Sequence, residues 1–441
     1  MDKPKKAPLF YGWVVVAICV ITVAVSYGIR YSFSVFYVSI LNYFGWSRAD
    51  TALIFSINIL VYGLSAPLVG MAVERWGPRK FMTAGILLLA AATAASSLTQ
   101  QIWHLYVFFG ILASFGICAT GFVPNAAVVS HWFARRRATA FGVFGVGFGI
   151  AYIMAMGIEY MISQLGWRHS FIALGVMAAA IAPLIAVFQR LDPKEKATVP
   201  DGEPSNDTLA HSMMNKETAV LDSKWTSEEW TIRKAIKTFR FWFLFACNFF
   251  MWGLAANLIL AHQVAFAVDK GYSPAFGALV FSLYGVLYGT GNLLGGLSDR
   301  FGREVVSTTG LVLAVIGVLM LVLNQGNGTP WLMLAYSLLF GVGLGVASPT
   351  ITAAIADLFQ GKNFGSINGL IVLGFGLGGA IGPWLGGKIF DTMNTYLPAF
   401  YIVMVALALA IICIWRAAPR QIRPVAGKVN QILMRRQPLG H

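Results

Sequence analysis

The sequence contains little charge for its length. Asp, Glu, Lys and Arg make up only 11% of the 441 residues, whereas hydrophobic residues make up 57%. A soluble protein carries about twice that charged fraction, so the composition excludes an ordinary soluble globular fold. Apolar runs of about 20 residues recur along the chain, and each could cross a hydrocarbon core of ~30 Å as a helix. We therefore predict an all-α integral membrane protein embedded in a lipid bilayer.

The sequence also lacks the residue clusters that metal sites and active sites require. Its four cysteines, Cys19, Cys118, Cys247 and Cys413, all fall within apolar runs and are poor candidates for disulfides. No group of Cys, His, Asp or Glu has metal-ligand spacing, and no nucleotide-binding loop or meaningful Ser-His-Asp arrangement is found. We predict no metal, no cofactor and no enzymatic activity.

Twelve apolar segments are long enough to be transmembrane helices, numbered here as spans 1 to 12. They lie near residues 11–38, 49–72, 80–99, 103–130, 137–163, 169–189, 240–267, 274–297, 304–324, 330–357, 363–388 and 396–416. The predicted domains are an N-terminal six-helix half (1–190), a cytoplasmic linker (191–238), a C-terminal six-helix half (239–417) and a cytoplasmic tail (418–441). The stretch 226–242 predicts an amphipathic cytoplasmic helix that leads into span 7.

Positive charge is distributed unevenly between the two sets of loops. The chain has 32 Lys and Arg against 18 Asp and Glu, a net charge of +14. Apart from Arg30, Arg48, Arg168, Lys270 and Lys388, the Lys and Arg fall in one set of alternate loops, which includes the termini and the linker. The positive-inside rule places that set of loops, with both termini, in the cytoplasm. We expect the protein to lie in the inner or plasma membrane of the cell. The basic charge therefore indicates topology, and we predict no nucleic-acid partner.

The two halves contain similar motifs in corresponding loops. "GMAVERWGPRK" begins at Gly70 between spans 2 and 3, and "GGLSDRFGRE" begins at Gly295 between spans 8 and 9. Tyr62 of span 2 likewise recurs as Tyr288 of span 8. Two similar six-helix halves are the plan of many secondary transporters, whose substrate site lies between the halves near the midplane. The sequence therefore predicts two pseudo-symmetric halves.

The shared loop motif, G-x-x-x-(D/E)-R-x-G-(R/P), resembles the signature of the major facilitator superfamily, and the resemblance covers nearly the whole chain. It implies that charged residues of these two loops latch the halves together at the cytoplasmic side. The residues concerned are Glu74, Arg75, Arg79, Asp299 and Arg300. The alternative is that they only anchor the helix ends.

Three stretches resemble one branch of that superfamily, the monocarboxylate transporters and their oxalate–formate antiporter relatives. They are "YGWVVV" opening span 1, "HWFARRRATAFGVFGVGFG" entering span 5 and "GWRHSFIALG" opening span 6. The resemblance implies a small organic anion as substrate, carried with a proton or in exchange for another anion.

Arg30, in the stretch "SYGIRYSFSVF" at 26–36, is the only charge in the long apolar run of span 1. An Arg at the bilayer centre costs at least ~2.5–3.5 kcal/mol on insertion scales, and such residues usually face the bundle interior. The guanidinium fork suits a carboxylate, so we expect Arg30, flanked by Tyr27 and Tyr31, to bind the anion. Two alternatives stay open: Arg30 extends to the outer interface, or it pairs with Glu159 of span 5.

The sequence departs from the animal-type family pattern. There, span 1 carries a Lys at the position of Tyr31, and span 8 carries an Asp–Arg pair. Span 8 of this chain has no such pair, and Asn292 stands where the Arg is expected. Proton coupling through a span 8 carboxylate therefore cannot be transferred to this chain.

Other polar residues within the spans are further candidates. Span 8 carries Tyr284, Tyr288 and Asn292 at intervals of four residues, a stripe on one helical face, and Asn125 follows a proline in span 4. We expect these four residues to line the substrate site. The alternative for the span 8 residues is helix–helix hydrogen bonding, and for Asn125 it is a bond to a neighbour where the proline frees a carbonyl. Glu159 and His262 are the candidates for proton coupling, although a lone membrane histidine is more often a packing residue.

These observations predict a secondary active transporter that moves a small monocarboxylate or related organic anion by alternating access. Arg30 would hold the carboxylate, and the expected partners are that anion, protons if coupled, and lipid. Proton symport, anion exchange and uniport stay open, and we expect a monomer. The alternatives are a transporter of a neutral solute or drug with a structural Arg30, and a sensor that does not transport.

Overall fold

The structure is a computed structural model that describes residues 10–133, 137–196, 198–199, 223–324, 326, 328–359 and 363–422. The regular secondary structure of these residues is entirely helical. The long helices are Tyr11–Phe44, Arg48–Trp76, Pro78–Leu98, Ile102–Trp132, Arg137–Phe188, Phe239–Asp269, Pro274–Leu294, Arg303–Leu323, Pro330–Leu358, Phe364–Met393 and Leu397–Ala417. Short helical turns occupy Pro193–Lys196, Ser223–Ser227, Ile232–Ala235, Gly295–Leu297, Ser298–Phe301 and Pro419–Gln421.

Eleven helices in the described part of the chain are long and apolar enough to cross a membrane. One of them, Ala140–Phe188, has 49 residues and would be about 73 Å long, more than twice the ~30 Å of a hydrocarbon core. It contains one residue with non-helical backbone, Gly166, at φ 76° and ψ 161°. The chain turns at this residue. Glycine suits the turn because positive φ is strained for residues with a Cβ. Spans 5 and 6 meet there, and the predicted twelve-span fold is confirmed.

The two halves pack against each other along several pairs of helices. Span 2 packs along span 11, span 5 along span 8, and the end of span 1 against span 7. A Cβ on Gly63 would lie 2.9 Å from the Cα of Gly376, so the backbones of spans 2 and 11 are in direct contact. Small residues permit such close crossings in membranes, where packing rather than water exclusion holds helices together.

The stretch before span 7 differs from its sequence-based prediction. The expectation of one helix over 226–242 is wrong, because the chain forms separate turns at Ser223–Ser227 and Ile232–Ala235 before span 7 begins at Phe239. The indole of Trp225 donates to the carbonyl of Leu358 at 2.8 Å. This segment therefore packs on the end of span 10, where tertiary contacts replace helix continuation.

Candidate functional site

Arg30 lies near the middle of span 1. The helix continues past Ser32, whose N–H donates to the carbonyl of Gly28 at 2.9 Å, and it ends only at Phe44. Arg30 is therefore about 4 Å beyond the midpoint of Tyr11–Phe44. Its side chain is only 2% exposed, so the guanidinium does not extend to an interface.

The guanidinium of Arg30 is surrounded by aromatic rings from both halves. Its Cζ lies 4.5 Å from the centroid of the Tyr62 ring and 5.9 Å from the centroids of the Tyr27 and Phe375 rings. The hydroxyls of Tyr27 and Tyr62 are 2.8 Å apart and hydrogen-bonded. Phe375 belongs to span 11, so the guanidinium lies between the two halves. Rings this close attract a cation through their electron-rich faces.

No carboxylate pairs with Arg30 among the described residues, and its Nη2 atom is buried without a hydrogen-bond partner. Glu159, the partner that the sequence suggested, makes no ion pair in that same part of the chain. It is half-buried in span 5, seven residues beyond Tyr152, which corresponds to roughly 10 Å along the helix axis. The guanidinium is thus a buried cation whose counter-charge does not come from the neighbouring described side chains.

A row of aromatic rings connects Arg30 with the C-terminal half. Tyr31, next to Arg30, stacks on Tyr152 of span 5, with ring centroids 4.4 Å apart and planes 15° apart. Tyr152 in turn contacts Tyr284 and Tyr288 of span 8, with centroids 5.3 and 6.2 Å apart. The ring of Tyr288 lies 5.5 Å from that of Trp252 in span 7. The structure therefore brings Tyr27, Arg30, Tyr31, Tyr284 and Tyr288 into one region.

The two asparagines of the sequence-based site have hydrogen-bond partners in their own helices. Span 4 breaks at Gly121, where ψ is −147°, and the amide nitrogen of Asn125 donates to the carbonyls of Thr120 and Gly121 at 2.7 Å each. The amide nitrogen of Asn292 donates to the carbonyl of Tyr288 at 3.0 Å. Asn125 thus bonds to carbonyls beside the proline, the alternative given for that residue, and Asn292 bonds within its own helix rather than between helices. Their role in the substrate site stays a prediction.

His262 lies between the halves, away from Arg30. Its Nε2 is 2.7 Å from the carbonyl of Pro383, so this nitrogen carries the proton and donates. Its Nδ1 is 3.2 Å from the hydroxyl of Tyr396, and the ring of Tyr37 in span 1 packs edge-on against the imidazole. Burial raises the pKa of the Tyr396 hydroxyl, which therefore stays protonated and donates to Nδ1. The histidine is fully hydrogen-bonded in this arrangement.

The start of span 2 carries an ion pair that joins the halves, at what we call the Arg48 end of the molecule. The guanidinium of Arg48 donates to both carboxylate oxygens of Asp269, at the end of span 7, at 2.6 Å each. The same group donates to the Tyr396 hydroxyl at 2.6 Å and lies over the ring of Phe390. Bidentate pairs of this kind are among the stronger charged interactions in proteins. The network continues through Tyr396 to His262.

A second carboxylate from the C-terminal half binds the N-terminus of span 2. The two oxygens of Asp391 accept from the backbone N–H groups of Arg48 and Ala49 at 2.9 and 2.8 Å. These amides have no partner inside the helix, and a negative charge there also complements the helix dipole. The sequence analysis missed this contact. The sequence did contain a signal for it. Arg48 is basic, Asp269 and Asp391 are acidic, and all three lie in the set of loops that carries little charge.

At the opposite end, which carries the two loop motifs, the described residues form no such junction. Arg75, Arg79 and Arg300 are exposed, and none forms an ion pair with the other half in the described part of the chain. Asp299 pairs with Arg303 of its own half at 2.7 Å. The side chain of Glu74 lies outside the described residues. The latch stays a prediction.

Comparison with known proteins identifies the family. The family model of the Major Facilitator Superfamily matches residues 19–291 and 241–439. The chain belongs to the major facilitator superfamily. It is accordingly a multi-pass membrane transporter and not an enzyme.

Curated relatives of this major facilitator include several monocarboxylate transporters. The chain is 25% identical over 400 residues to monocarboxylate transporter 11 of Homo sapiens, covering 88% of this chain and 79% of that protein. It is 24% identical over 457 residues to monocarboxylate transporter 7 of Homo sapiens, covering 93% and 86%. The resemblance to monocarboxylate transporters is confirmed, and the one to oxalate–formate antiporters stays a prediction.

Solved structures of other transporters share the fold. A D-xylose-proton symporter superposes with a TM-score of 0.71 at 14% identity, covering 95% of this chain and 99% of that one. A bacterial homologue of the human lysosomal transporter Spinster, inward-facing and unoccupied, gives a TM-score of 0.68 at 16% identity, covering 93% and 96%. Identities this low establish the common fold alone.

Proposed function

We propose that this protein is a secondary transporter of a small monocarboxylate or related organic anion, and that Arg30 binds the carboxylate. One observation carries the proposal: the Arg30 guanidinium is 2% exposed and lacks a carboxylate partner among the described residues. It lies between the halves, where such transporters bind their substrates. The similarity to proteins named monocarboxylate transporters supports the same substrate class.

The energetics of a buried cation favour a bound anion. A buried charge that has lost its partner destabilises a protein by about 3–5 kcal/mol. The close ring of Tyr62, at 4.5 Å from Cζ, offsets about 2 kcal/mol of this when water is absent. A ring face accepts fewer N–H groups of a guanidinium than carboxylate oxygens do. A carboxylate accepts two parallel hydrogen bonds from one guanidinium. An incoming carboxylate would therefore supply both the charge and the acceptors.

The distribution of basic residues supports an orientation for the transport cycle. The loop-motif end has the Lys- and Arg-rich loops, so it faces the cytoplasm, as do both termini. The halves in this structure are then joined at the outer end by Arg48, Asp269 and Asp391. Substrate would exchange with the cytoplasm in this state. Alternating access would require these outer contacts to open while the loop motifs close.

The coupling ion stays a separate question. Glu159 is half-buried in span 5 and makes no ion pair among the described residues, and it is our first candidate for carrying a proton. His262 is hydrogen-bonded to Pro383 and Tyr396 at the outer end. It would respond to opening of that end more directly than to substrate. Variants Glu159→Gln and His262→Gln separate these roles.

The test is uptake of labelled monocarboxylates into proteoliposomes. Lactate, pyruvate, acetate and glycolate are offered with and without an inward proton gradient, and again with unlabelled carboxylate inside. We expect saturable uptake that falls about 30-fold or more in Arg30→Gln, since truncating one member of a buried charge pair costs at least ~2 kcal/mol. Stimulation by the gradient indicates symport, and a dependence on internal carboxylate indicates exchange.

Arg168→Gln is the matched control. Arg168 donates to the carbonyl of Ser97 within the N-terminal half and should keep full uptake. Both variants must elute as the wild type does in size-exclusion chromatography. Absence of carboxylate uptake by the wild type under every gradient would contradict the substrate class, and would favour a neutral solute or a sensor that does not transport.

A further inference from the structure

We propose that the transported acid has an aromatic body and a single carboxylate, bound with the carboxylate on Arg30 and the body against the rings that extend toward Trp252. The inference rests on the proposed function, because Arg30 must bind the carboxylate. Its evidence is separate, since it comes from the side chains on the other side of the site.

The two halves contribute different chemistry to the central region. The N-terminal half supplies the only buried guanidinium that the described residues place there, that of Arg30. The equivalent position of Tyr62 in the repeat is Tyr288, yet Tyr288 faces the indole of Trp252 rather than a cation. One pole of the site is therefore charged and the opposite pole is aromatic.

The rings of the aromatic pole keep part of their surface exposed. Tyr31, Trp252, Tyr288 and Phe375 are each only partly buried, although they lie on spans 1, 7, 8 and 11 at mid-depth. Phe375 reaches across the halves to the guanidinium, at 5.9 Å. Each of these rings can therefore offer a free face or edge to a planar ligand, and aromatic pairs prefer offset-stacked or edge-on contact.

A second carboxylate would meet no cation from the described part of the C-terminal half in this region. The charged residues of spans 7 to 11 lie at the helix ends: Arg240, Asp269, Arg303, Glu304, Asp357, Lys388 and Asp391. A second carboxylate placed against the rings would be desolvated with hydroxyl and indole donors but without a counter-charge, which is unfavourable. The arrangement therefore selects against dicarboxylates as well as against acids too short to reach the rings.

The experiment compares four acids by isothermal titration with the purified full-length protein in detergent. They are propionate, 3-cyclohexylpropionate, 3-phenylpropionate and 3-(4-carboxyphenyl)propionate. We expect 3-phenylpropionate to bind at least ~10-fold more tightly than propionate, as hydrophobic pockets discriminate by such factors. It should bind about threefold more tightly than the cyclohexyl acid, which lacks a ring face. The dicarboxylate should bind at least ~30-fold more weakly than 3-phenylpropionate.

Variants locate the preference. Trp252→Leu and Tyr288→Leu should each reduce the ratio of 3-phenylpropionate to propionate affinity at least ~threefold. Trp331→Leu is the control. Trp331 is 61% exposed at the start of span 10, so this variant should leave the affinity ratio unchanged. Two variants on different helices guard against a folding defect in either one.

The outcomes separate this inference from the proposed function. Binding of propionate as tight as that of 3-phenylpropionate, or equal binding of the dicarboxylate, overturns the aromatic monocarboxylate while the carboxylate function stands. Loss of all binding in Arg30→Gln together with the expected order of acids supports both. If none of the four acids binds while the wild type takes up lactate or pyruvate, the inference fails and the proposed function stands. If no carboxylate of either set binds or is taken up, both fail.

Discussion

At the Arg48 end, two carboxylates from the C-terminal half hold the start of span 2, one on the side chain and one on the backbone. At the loop-motif end, Arg75 and Arg300 are exposed and make no ion pair with the other half among the described residues. The second end has the recognisable sequence motif, whereas the first has three isolated charges. Sequence signature and formed contact therefore occur at opposite ends of this conformation.

If the halves move about a central site, as proposed, the contacts at the two ends form in different states. Charges can pair only when the helices that carry them approach. The loop motifs then predict which residues meet in the other state, while the structure shows which described residues pair in this one. The following predictions test the contacts between the halves, beginning with the largest expected effect.

The first prediction contrasts two glycines on the same face of span 8. A Cβ at Gly285 would overlap the Cβ of Tyr152 and lie 2.5 Å from its Cγ, whereas a Cβ at Gly289 would have no neighbour within 4 Å. Gly285→Ala should destabilise the protein by about 1–3 kcal/mol, since span 5 must shift at Tyr152. Gly289→Ala should be neutral or stabilising by up to ~1 kcal/mol, because alanine favours the helix.

The thermal unfolding temperature in detergent checks this pair of variants. A lower Tm for Gly285→Ala and an unchanged or higher Tm for Gly289→Ala support the close contact of spans 5 and 8. Equal behaviour of the two variants would show that the halves are equally separated at both positions.

The second prediction breaks the ion pair at the Arg48 end. Arg48→Gln removes the bidentate contact with Asp269 and should shift the equilibrium toward opening by about 1–2 kcal/mol, since the pair is partly solvent-exposed. The readout is labelling of a cysteine introduced at buried Ser56, near this interface, by an impermeant maleimide. We expect the rate to rise about 5- to 30-fold.

Two further variants serve as controls in that background. Arg48→Lys keeps the charge but loses the fork, and should give an intermediate rate. Arg168→Gln removes a guanidinium that bonds within its own half, and should leave the rate unchanged. A labelling rate that Arg48→Gln does not alter would exclude the ion pair as a closing contact.

The third prediction removes the helix cap supplied by Asp391. Asp391→Asn keeps one acceptor for the amides of Arg48 and Ala49 but loses the negative charge at the helix N-terminus. The expected effect is about 1 kcal/mol, or roughly fivefold in the same labelling rate. Thr392→Ala is the neighbouring control, because Thr392 bonds only within its own helix. Equal rates for the two variants would argue against the cap.

The fourth prediction concerns the loop-motif end and has the smallest effect on stability. Arg75 has no ion-pair partner among the described residues, so Arg75→Gln should change the unfolding free energy by less than about 0.5 kcal/mol. If the motif latches the opposite state, the same variant should slow substrate uptake at least tenfold. Unchanged Tm with unchanged uptake would leave the arginine as a simple helix-end anchor.

The sequence predicted the spans because each is a long apolar run, but it misjudged details that depend on packing. Span 1 extends to Phe44 rather than residue 38, since the aromatic-rich end of the helix packs against span 7. The stretch near Trp225 is not one helix, because its indoles pack on the end of span 10. Arg30 was recognisable as a lone charge, yet its ring neighbours come from three different spans.

By itself, the sequence determined that this is a twelve-span membrane transporter of two related halves with one guanidinium deep in span 1. The spans and the lone guanidinium follow from local composition and periodicity, which act within single helices. The related halves follow from motifs repeated between loops, and the transporter class from the resemblance to a known family. Only the tertiary structure decided that Arg30 lacks a carboxylate partner among the described residues, that Asn125 and Asn292 satisfy backbone carbonyls, and that the Arg48 end is the joined end. The state of Arg30 and the joined end depend on which helices approach one another, and the contacts of Arg48 with Asp269 and Asp391, over 200 positions apart, leave no local pattern in the chain. The asparagine bonds lie within one helix, but the sequence does not fix which way these side chains turn.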